Sequence, residues 1–294
     1  MAEKLYETLK TIERHRAASP HYGDLLDILE EIVILREIYK KENSYTVFSI
    51  DEELIPQKLK GGFPIIDLAH GIVDLTGPSA YFHSLLSIAE KRIPVETEMV
   101  RQKLQEGTIL FEDMIGDVTS DLPLLEEEED FADDLSSEEE ADAVEEGQED
   151  DAFDLIELFL EESLRPDLER IAEKYATVVA QYAWSEGYCP ICGREPKIGE
   201  IKKSEEERFL FCHQCGFEWS FRRIKCPFCG NEAPNSLAFF TVEEDERYRV
   251  DVCNECKRYI KIVDFREESQ KANMDVEDIA TLHLDILASE EGYN

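Results

Sequence analysis

The sequence predicts an α+β protein: a helical N-terminal domain, then two tandem four-cysteine modules, then a C-terminal helix. Three observations carry that prediction. Apolar residues recur at helical spacing through the first part of the chain, up to the neighbourhood of Trp184. All eight cysteines of the 294 residues fall in four Cys-x-x-Cys pairs, and all lie between Cys189 and Cys256. Between those pairs the chain turns to short runs of aromatic and β-branched residues, which suit a pleated, half-buried surface.

The helices follow from spacing. Leu25, Leu26, Ile28, Leu29, Ile32, Val33, Leu35, Ile38 and Tyr39 form an apolar face wide enough for a buried helix. Gly61-Gly62-Phe63-Pro64 interrupts the chain. A second helix is expected after Gly77-Pro78, because proline at an early helical position loses no hydrogen bond; Tyr81, Phe82, Leu85, Leu86 and Ile88 give its apolar face. Phe153 to Leu164 reads as a helix that Pro166 restarts or kinks, and Leu168, Ile171, Tyr175, Val178, Val179 and Tyr182 continue the period. These stripes read as core rather than as cofactor contacts. A last helix is expected from Val276 to Leu287.

Strands are expected at Phe209–Phe211, Trp219–Phe221, Phe239–Val242, Tyr248–Val252 and Tyr259–Val263, each beside a cysteine turn. That layout is the one of a rubredoxin-like or zinc-ribbon module. It occurs twice: Cys189-Pro190-Ile191-Cys192-Gly193 and Cys226-Pro227-Phe228-Cys229-Gly230 share a pattern, and each precedes a β-like stretch and a second pair. The expected organisation is a mainly helical domain at 1–184, modules at 185–222 and 223–266, and a helical tail at 267–294.

With 43% hydrophobic residues the chain can bury a core, although its net charge is −37. Much of the charge is local. From Asp121 to Asp151 there is no Lys or Arg, and a disordered acidic segment is expected near 118–151. A chain this acidic repels a phosphate backbone over most of its surface, so nucleic acid is not an expected partner. The N-terminal residues lack the basic, apolar and cleavage regions of a secretion signal. The most apolar run, Leu25 to Tyr39, contains Asp27, Glu30, Glu31, Arg36 and Glu37, so no membrane insertion is expected. A cytoplasmic location follows, and in that reducing compartment paired cysteines are metal ligands more often than disulfides.

Two residues between cysteines let one tight turn aim both sulfurs at one ion, and two turns complete a tetrahedron. The simplest reading places Cys189, Cys192, Cys212 and Cys215 on one ion and Cys226, Cys229, Cys253 and Cys256 on another; interleaved pairing is the alternative. Either zinc or iron accepts four thiolates. Gly193, Gly216 and Gly230 supply the positive φ that closes such turns, and Lys257 stands at the fourth equivalent position. His213 lies inside the second turn. The remaining histidines form no metalloprotease or triad pattern, there is no glycine-rich phosphate loop, and a filled four-thiolate site has no open coordination position. No catalytic residue is therefore assigned and the chain is not expected to be an enzyme.

From Tyr188 to Tyr293 the sequence resembles the formate dehydrogenase accessory protein FdhE family. The resemblance rests on Cys189-Pro190-x-Cys192-Gly193, Cys212-x-x-Cys215 with Glu218-Trp219, and Arg223 with Cys226-x-x-Cys229. It continues through Cys253-x-x-Cys256-x-x-Tyr259-Ile260-Lys261-Ile262, Asp278-Ile279-Ala280, Leu284-Asp285 and Glu291-Gly292-Tyr293. The long acidic segment has no counterpart in that pattern, and many members continue beyond the position of Asn294. The resemblance implies a helical domain on two rubredoxin-like modules, with metal reported as iron in some members. It also implies a cytoplasmic assembly factor that binds the catalytic subunit of formate dehydrogenase and assists its maturation. The reading admits a homodimer.

The cysteine region is close to neutral while the rest is strongly acidic, a separation that can orient a partner. Trp219, Arg222 and Arg223 are the candidate partner contacts. Two other functions compete: a rubredoxin-like electron-transfer protein, and a zinc-ribbon nucleic-acid binder suggested by the basic residues among the strands.

Overall fold

In the computed structural model, residues 2–43, 47–120, 148–202, 208–242, 245–266 and 271–294 are described. The expected acidic segment lies outside them from 121 to 147; its flanks at 118–120 and 148–151 are helical. The helices before the cysteine region are α1 (Ala2–Ala18), α2 (Gly23–Glu42), α3 (Ile55–Lys60), α4 (Thr76–Ala89), α5 (Pro94–Glu106), α6 (Phe111–Ser120) and α7 (Gln148–Val179). Pro56, Pro78 and Pro94 all sit in first turns, where a missing N–H costs nothing. The chain divides into two compact units, Met1–Pro78 with Leu164–Asn294, and Ser79–Ser163.

The smaller unit is helical. Tyr81, Phe82, Leu85, Leu86, Phe111, Ile115 and Phe159 form its buried interior. The Phe82 and Phe111 rings lie 5.4 Å apart, and the Tyr81 hydroxyl donates to Glu162 at 3.0 Å.

In the larger unit, α2 is not buried all round. Leu26, Leu29, Ile32, Val33, Arg36 and Tyr39 face inward, whereas Leu25, Ile34 and Ile38 are exposed. The inward stripe packs with Ile12 of α1 and with Val276. α7 runs through Pro166 as one helix rather than restarting there. Its inward residues in this unit are Leu164, Leu168, Ala172, Tyr175 and Val179, spaced by three or four.

The cysteine region builds one six-stranded sheet from β1 (Ile198–Ile201), β2 (Arg208–Phe211), β3 (Glu218–Phe221), β4 (Leu237–Val242), β5 (Asp245–Cys253) and β6 (Tyr259–Asp264). The order is β3-β2-β1-β6-β5-β4. Each module is a three-stranded antiparallel ladder with its first strand at one side and its third at the other. A parallel pairing of β1 with β6, Ile198 opposite Lys261 through Ile201 opposite Asp264, joins the two ladders. The modules are thus halves of one sheet rather than separate beads.

The expected last helix is two, α8 (Met274–Ala280) and α9 (Leu282–Glu290), which meet at Thr281. Both cover one face of the sheet. Ile198, Phe211, Val250, Val252 and Val263 pack there with Met274, Leu284 and Ala288. Each Val, Leu, Ile, Phe or Met side chain so buried contributes about 1.5–3 kcal/mol. Glu277 is fully buried under this layer and is held by Arg14 at 3.2 Å, His15 at 3.1 Å and the Tyr248 hydroxyl at 2.6 Å. It ties α1, α8 and β5 together.

Candidate metal centres

Four turns of one design present the cysteines. In each, the residue four after the first cysteine donates its N–H back to that cysteine's carbonyl: Gly193 to Cys189 at 2.9 Å, Gly216 to Cys212 at 2.8 Å, Gly230 to Cys226 at 3.1 Å and Lys257 to Cys253 at 2.9 Å. The first cysteine's own N–H then donates to the next carbonyl, of Arg194, Phe217, Asn231 and Arg258 respectively. Closing this loop demands a left-handed backbone. Gly193, Gly216 and Gly230 have φ of 79°, 66° and 70°, and Lys257, with φ 60°, is the one non-glycine residue at positive φ among the described residues.

The turns pair sequentially. Cys189, Cys192, Cys212 and Cys215 form one group and Cys226, Cys229, Cys253 and Cys256 the other, with all sulfurs of a group within 4.8 Å of one another. Across the turns, Cys189–Cys215 and Cys192–Cys212 are 3.5 and 3.4 Å apart, and Cys226–Cys256 and Cys229–Cys253 are both 3.7 Å apart. A four-sulfur tetrahedron with metal–sulfur bonds of about 2.3 Å has edges of about 3.8 Å. The donors therefore fit one tetrahedral ion per group, and when bound that ion would supply a structural cross-link or, if iron, a one-electron couple.

The two groups differ in setting. All four sulfur-bearing residues of the first are at most 1% exposed. A clasp from the helical part closes over it. The Ile65 and Ile66 N–H groups donate to the Pro190 and Ile191 carbonyls at 2.9 and 2.8 Å, the Tyr188 hydroxyl donates to the Gly62 carbonyl at 2.6 Å, and Pro64 lies against Gly193. Glu169 of α7 lies against Gly216. In the second group Cys226 and Cys253 are buried, but Cys229 is exposed and Cys256 half-exposed.

Electrostatics follow the setting. Burial, together with the neighbouring Cys192 and Cys212 sulfurs, pushes the Cys189 thiol up, and burial likewise raises Cys215. At Cys212 burial is outweighed by hydrogen bonds from the other three sulfurs, and the thiol is lowered. In the second group burial raises Cys226 and Cys256. Cys253 is lowered to about 7, because N–H groups of Cys256 and Glu255 and the Asn231 amide outweigh the cost of burial. Backbone N–H groups aimed at sulfur are what such a turn provides. His213 is half-buried in its turn and helps lower Cys212 by charge.

Of the candidate contacts, Arg222 and Arg223 are exposed, and Arg222 pairs with Glu232 at 3.1 Å. Trp219 is only 4% exposed, and its indole N–H donates to the Glu186 carbonyl at 3.3 Å. It supports the loop rather than offering surface. Sequence reading missed that clasp at 62–66, which acts through backbone groups and carries no side-chain signature.

A helical body built onto a sheet with two sequentially paired four-cysteine sites defines a zinc-ribbon type metal-binding protein. Residues 188–223 match the family model described as FdhE, central domain, and residues 224–294 the model described as FdhE, C-terminal domain. An FdhE homolog of Aquifex aeolicus is 28% identical over 277 residues, covering 93% of this chain and 87% of that protein. Protein FdhE of Escherichia coli (strain K12 / DH10B) is 31% identical over 117 residues, 39% of this chain and 37% of that one. The crystal structure of the FdhE protein from Pseudomonas aeruginosa shares the fold with a TM-score of 0.66 at 19% identity, over 99% of this chain and 92% of that one. Over residues 188–294 the chain is therefore similar to the central and C-terminal domains of FdhE. Among the described residues, no helix is long and apolar enough to cross a membrane.

Proposed function

We propose that this protein is an accessory factor that binds the catalytic subunit of formate dehydrogenase in the cytoplasm and assists its maturation. The observation that carries the reading is the pair of FdhE domains spanning the whole two-centre sheet, residues 188–294. The cysteine centres hold that sheet in a binding-competent shape. Each uses four thiolates and so keeps no coordination position for a substrate, which favours a binding role over catalysis. Arg222 and Arg223 remain the proposed contacts, and Trp219, buried at β3, supports the neighbouring loop at Glu186.

The test is anaerobic co-purification with the catalytic subunit of formate dehydrogenase. Specific association, lost in a Cys→Ser variant of either centre, is the expected result. No association by the metal-loaded protein overturns the reading. The exposure of Cys229 favours one second reading, electron exchange at the second centre if its metal is iron. Full assembly activity of an all-zinc preparation would exclude it.

A further inference from the structure

The face of the sheet opposite α8 and α9 is only partly covered. The segment from Arg223 to Phe228 crosses it and leaves a groove of about 600 Å³ over β4 and β5, beside the second centre. Its lining is unusual for a chain of net charge −37: five cations against the single carboxylate of Asp251.

Part of that charge is already used. Asp251 takes Arg208 and Arg249, each at 2.9 Å, and Arg258 pairs with Glu195. A divalent ion on four thiolates adds about two negative charges next door. Arg223 remains: it lines the groove, is exposed, and has no ion-pair partner among the described residues. Among the described residues Lys225 has no ion pair; its ammonium meets the Ser185 carbonyl at 3.4 Å and lies 5.6 Å from the Phe221 ring centre.

The rims are apolar and open. Ile224 is 63% exposed and Phe239 61% exposed, and the Arg249 guanidinium lies 5.0 Å from the Phe239 ring centre. β4, which carries Phe239, is the edge of the sheet, so one side of its backbone has no strand partner among the described residues. An edge strand with an exposed aromatic is a template for strand addition.

We infer that this groove docks an acidic, extended segment of a protein partner, laid along β4, with a carboxylate at Arg223 and an apolar side chain between Ile224 and Phe239. The charge complementarity selects an acidic segment from an otherwise acidic molecule, and the open strand edge selects a polypeptide. The inference rests on the reading that this protein acts by holding a protein partner, and it names the surface and the chemistry.

The experiment compares wild type, the double variant Arg223→Glu/Phe239→Ser, and the control Val73→Asp, all with metal content and circular dichroism matched to wild type. Two probes are used: the catalytic subunit of formate dehydrogenase, and a fluorescent synthetic peptide alternating Glu with Leu or Phe, with its Lys-for-Glu counterpart. Wild type and control are expected to bind the subunit, and the groove variant at least tenfold more weakly. The acidic peptide should show the same ranking, weakening in high salt. If the subunit binds all three proteins equally, the groove inference falls and the accessory role stands. If the subunit binds none, the accessory role falls and the peptide decides: acidic binding lost in the groove variant sustains the groove. No acidic-peptide binding, or equal binding of the Lys peptide, overturns it. Binding of a single-stranded oligonucleotide at the groove in place of the acidic peptide overturns it as well.

Discussion

Replacing Glu169 by Gln should destabilise the larger unit by about 3–5 kcal/mol, the cost of stranding buried charge. One oxygen of Glu169 accepts from Arg36 at 3.2 Å and Arg165 at 3.1 Å, and the other from Lys40 at 2.9 Å. All four side chains are at most 10% exposed. Each contact is gross attraction of about 5 kcal/mol at an effective dielectric of about 20, against which desolvation is subtracted. The amide keeps the shape and removes the charge. Arg165 then keeps Asp275 at 2.6 Å and Arg36 has it only at 3.9 Å, while Lys40 keeps Glu173 at 3.5 Å and Glu37 at 4.0 Å, none of which replaces the central carboxylate that all three cations shared. Glu173→Gln is the control, since Glu173 is 64% exposed and its loss should cost under about 1 kcal/mol. Urea is the denaturant of choice because guanidinium would screen the charges. Both tryptophans, Trp184 and Trp219, lie in this unit, so fluorescence reports on it directly. The sign with pH follows. Burial opposes ionisation of Glu169, but Arg36, Arg165 and Lys40 overcome it and hold the carboxyl well below its usual range. Its stabilising contribution is complete above the unfolded value of about 4.3 and is lost as pH falls below that. The gap between wild type and Glu169→Gln should therefore be constant near neutrality and narrow in acid. Thiolate protonation affects both proteins alike and cancels from the difference. A gap under about 1 kcal/mol at neutral pH, or one that widens in acid, would refute the argument.

Gly187→Ala should lower stability by at least about 1–3 kcal/mol, because a Cβ there would lie 1.6 Å from the Pro227 carbonyl oxygen; an unshifted urea midpoint would show that the two modules do not meet so closely. At position 257 the order Gly ≥ Lys > Val is expected, with Val about 1 kcal/mol or more below Lys, since a β-branched residue tolerates φ of 60° worst; thermal melts of the metal-loaded proteins decide it. A chelating dye should withdraw metal in two phases, the fast one from the second group where Cys229 is exposed, and Cys229→Ser should remove that phase alone; a single phase contradicts the difference in burial.

What could be read from the sequence was what is locally encoded. The Cys-x-x-Cys-Gly spacing specifies both the direction of the sulfurs and a left-handed residue, so the four turns, including the strained Lys257, were legible. β1 was not, because Ile198-Gly199-Glu200-Ile201 is four residues with a glycine in it. Its parallel pairing with β6 joins residues about sixty positions apart, and no local pattern encodes such a register. Trp219 read as a contact because it neighbours Arg222 and Arg223. Alternation along β3 instead turns it inward and leaves the arginines beyond the strand's end. The break at Thr281 was hidden because apolar spacing continues across it, while its hydroxyl bonds back to the Glu277 carbonyl at 2.6 Å.

The duplication makes the unequal burial of the two centres informative. Both modules run turn, strand, strand, turn, strand, and both make the same hydrogen bonds around their cysteines. Intrinsic turn geometry therefore cannot explain why one centre is sealed and the other open. The difference comes from what packs outside. The first module receives the 62–66 clasp and α7, whereas the corresponding side of the second module borders the cationic groove. Sealing the first centre makes its folding inseparable from docking of the helices, because the clasp bonds to the turn's own carbonyls. Leaving the second open costs burial of Ile224 and Phe239, about 1.5–3 kcal/mol each if they were covered. A fold that already seals one copy of the module has the means to seal the other, so an apolar, cationic face left uncovered beside the second centre is explained by something that covers it in function.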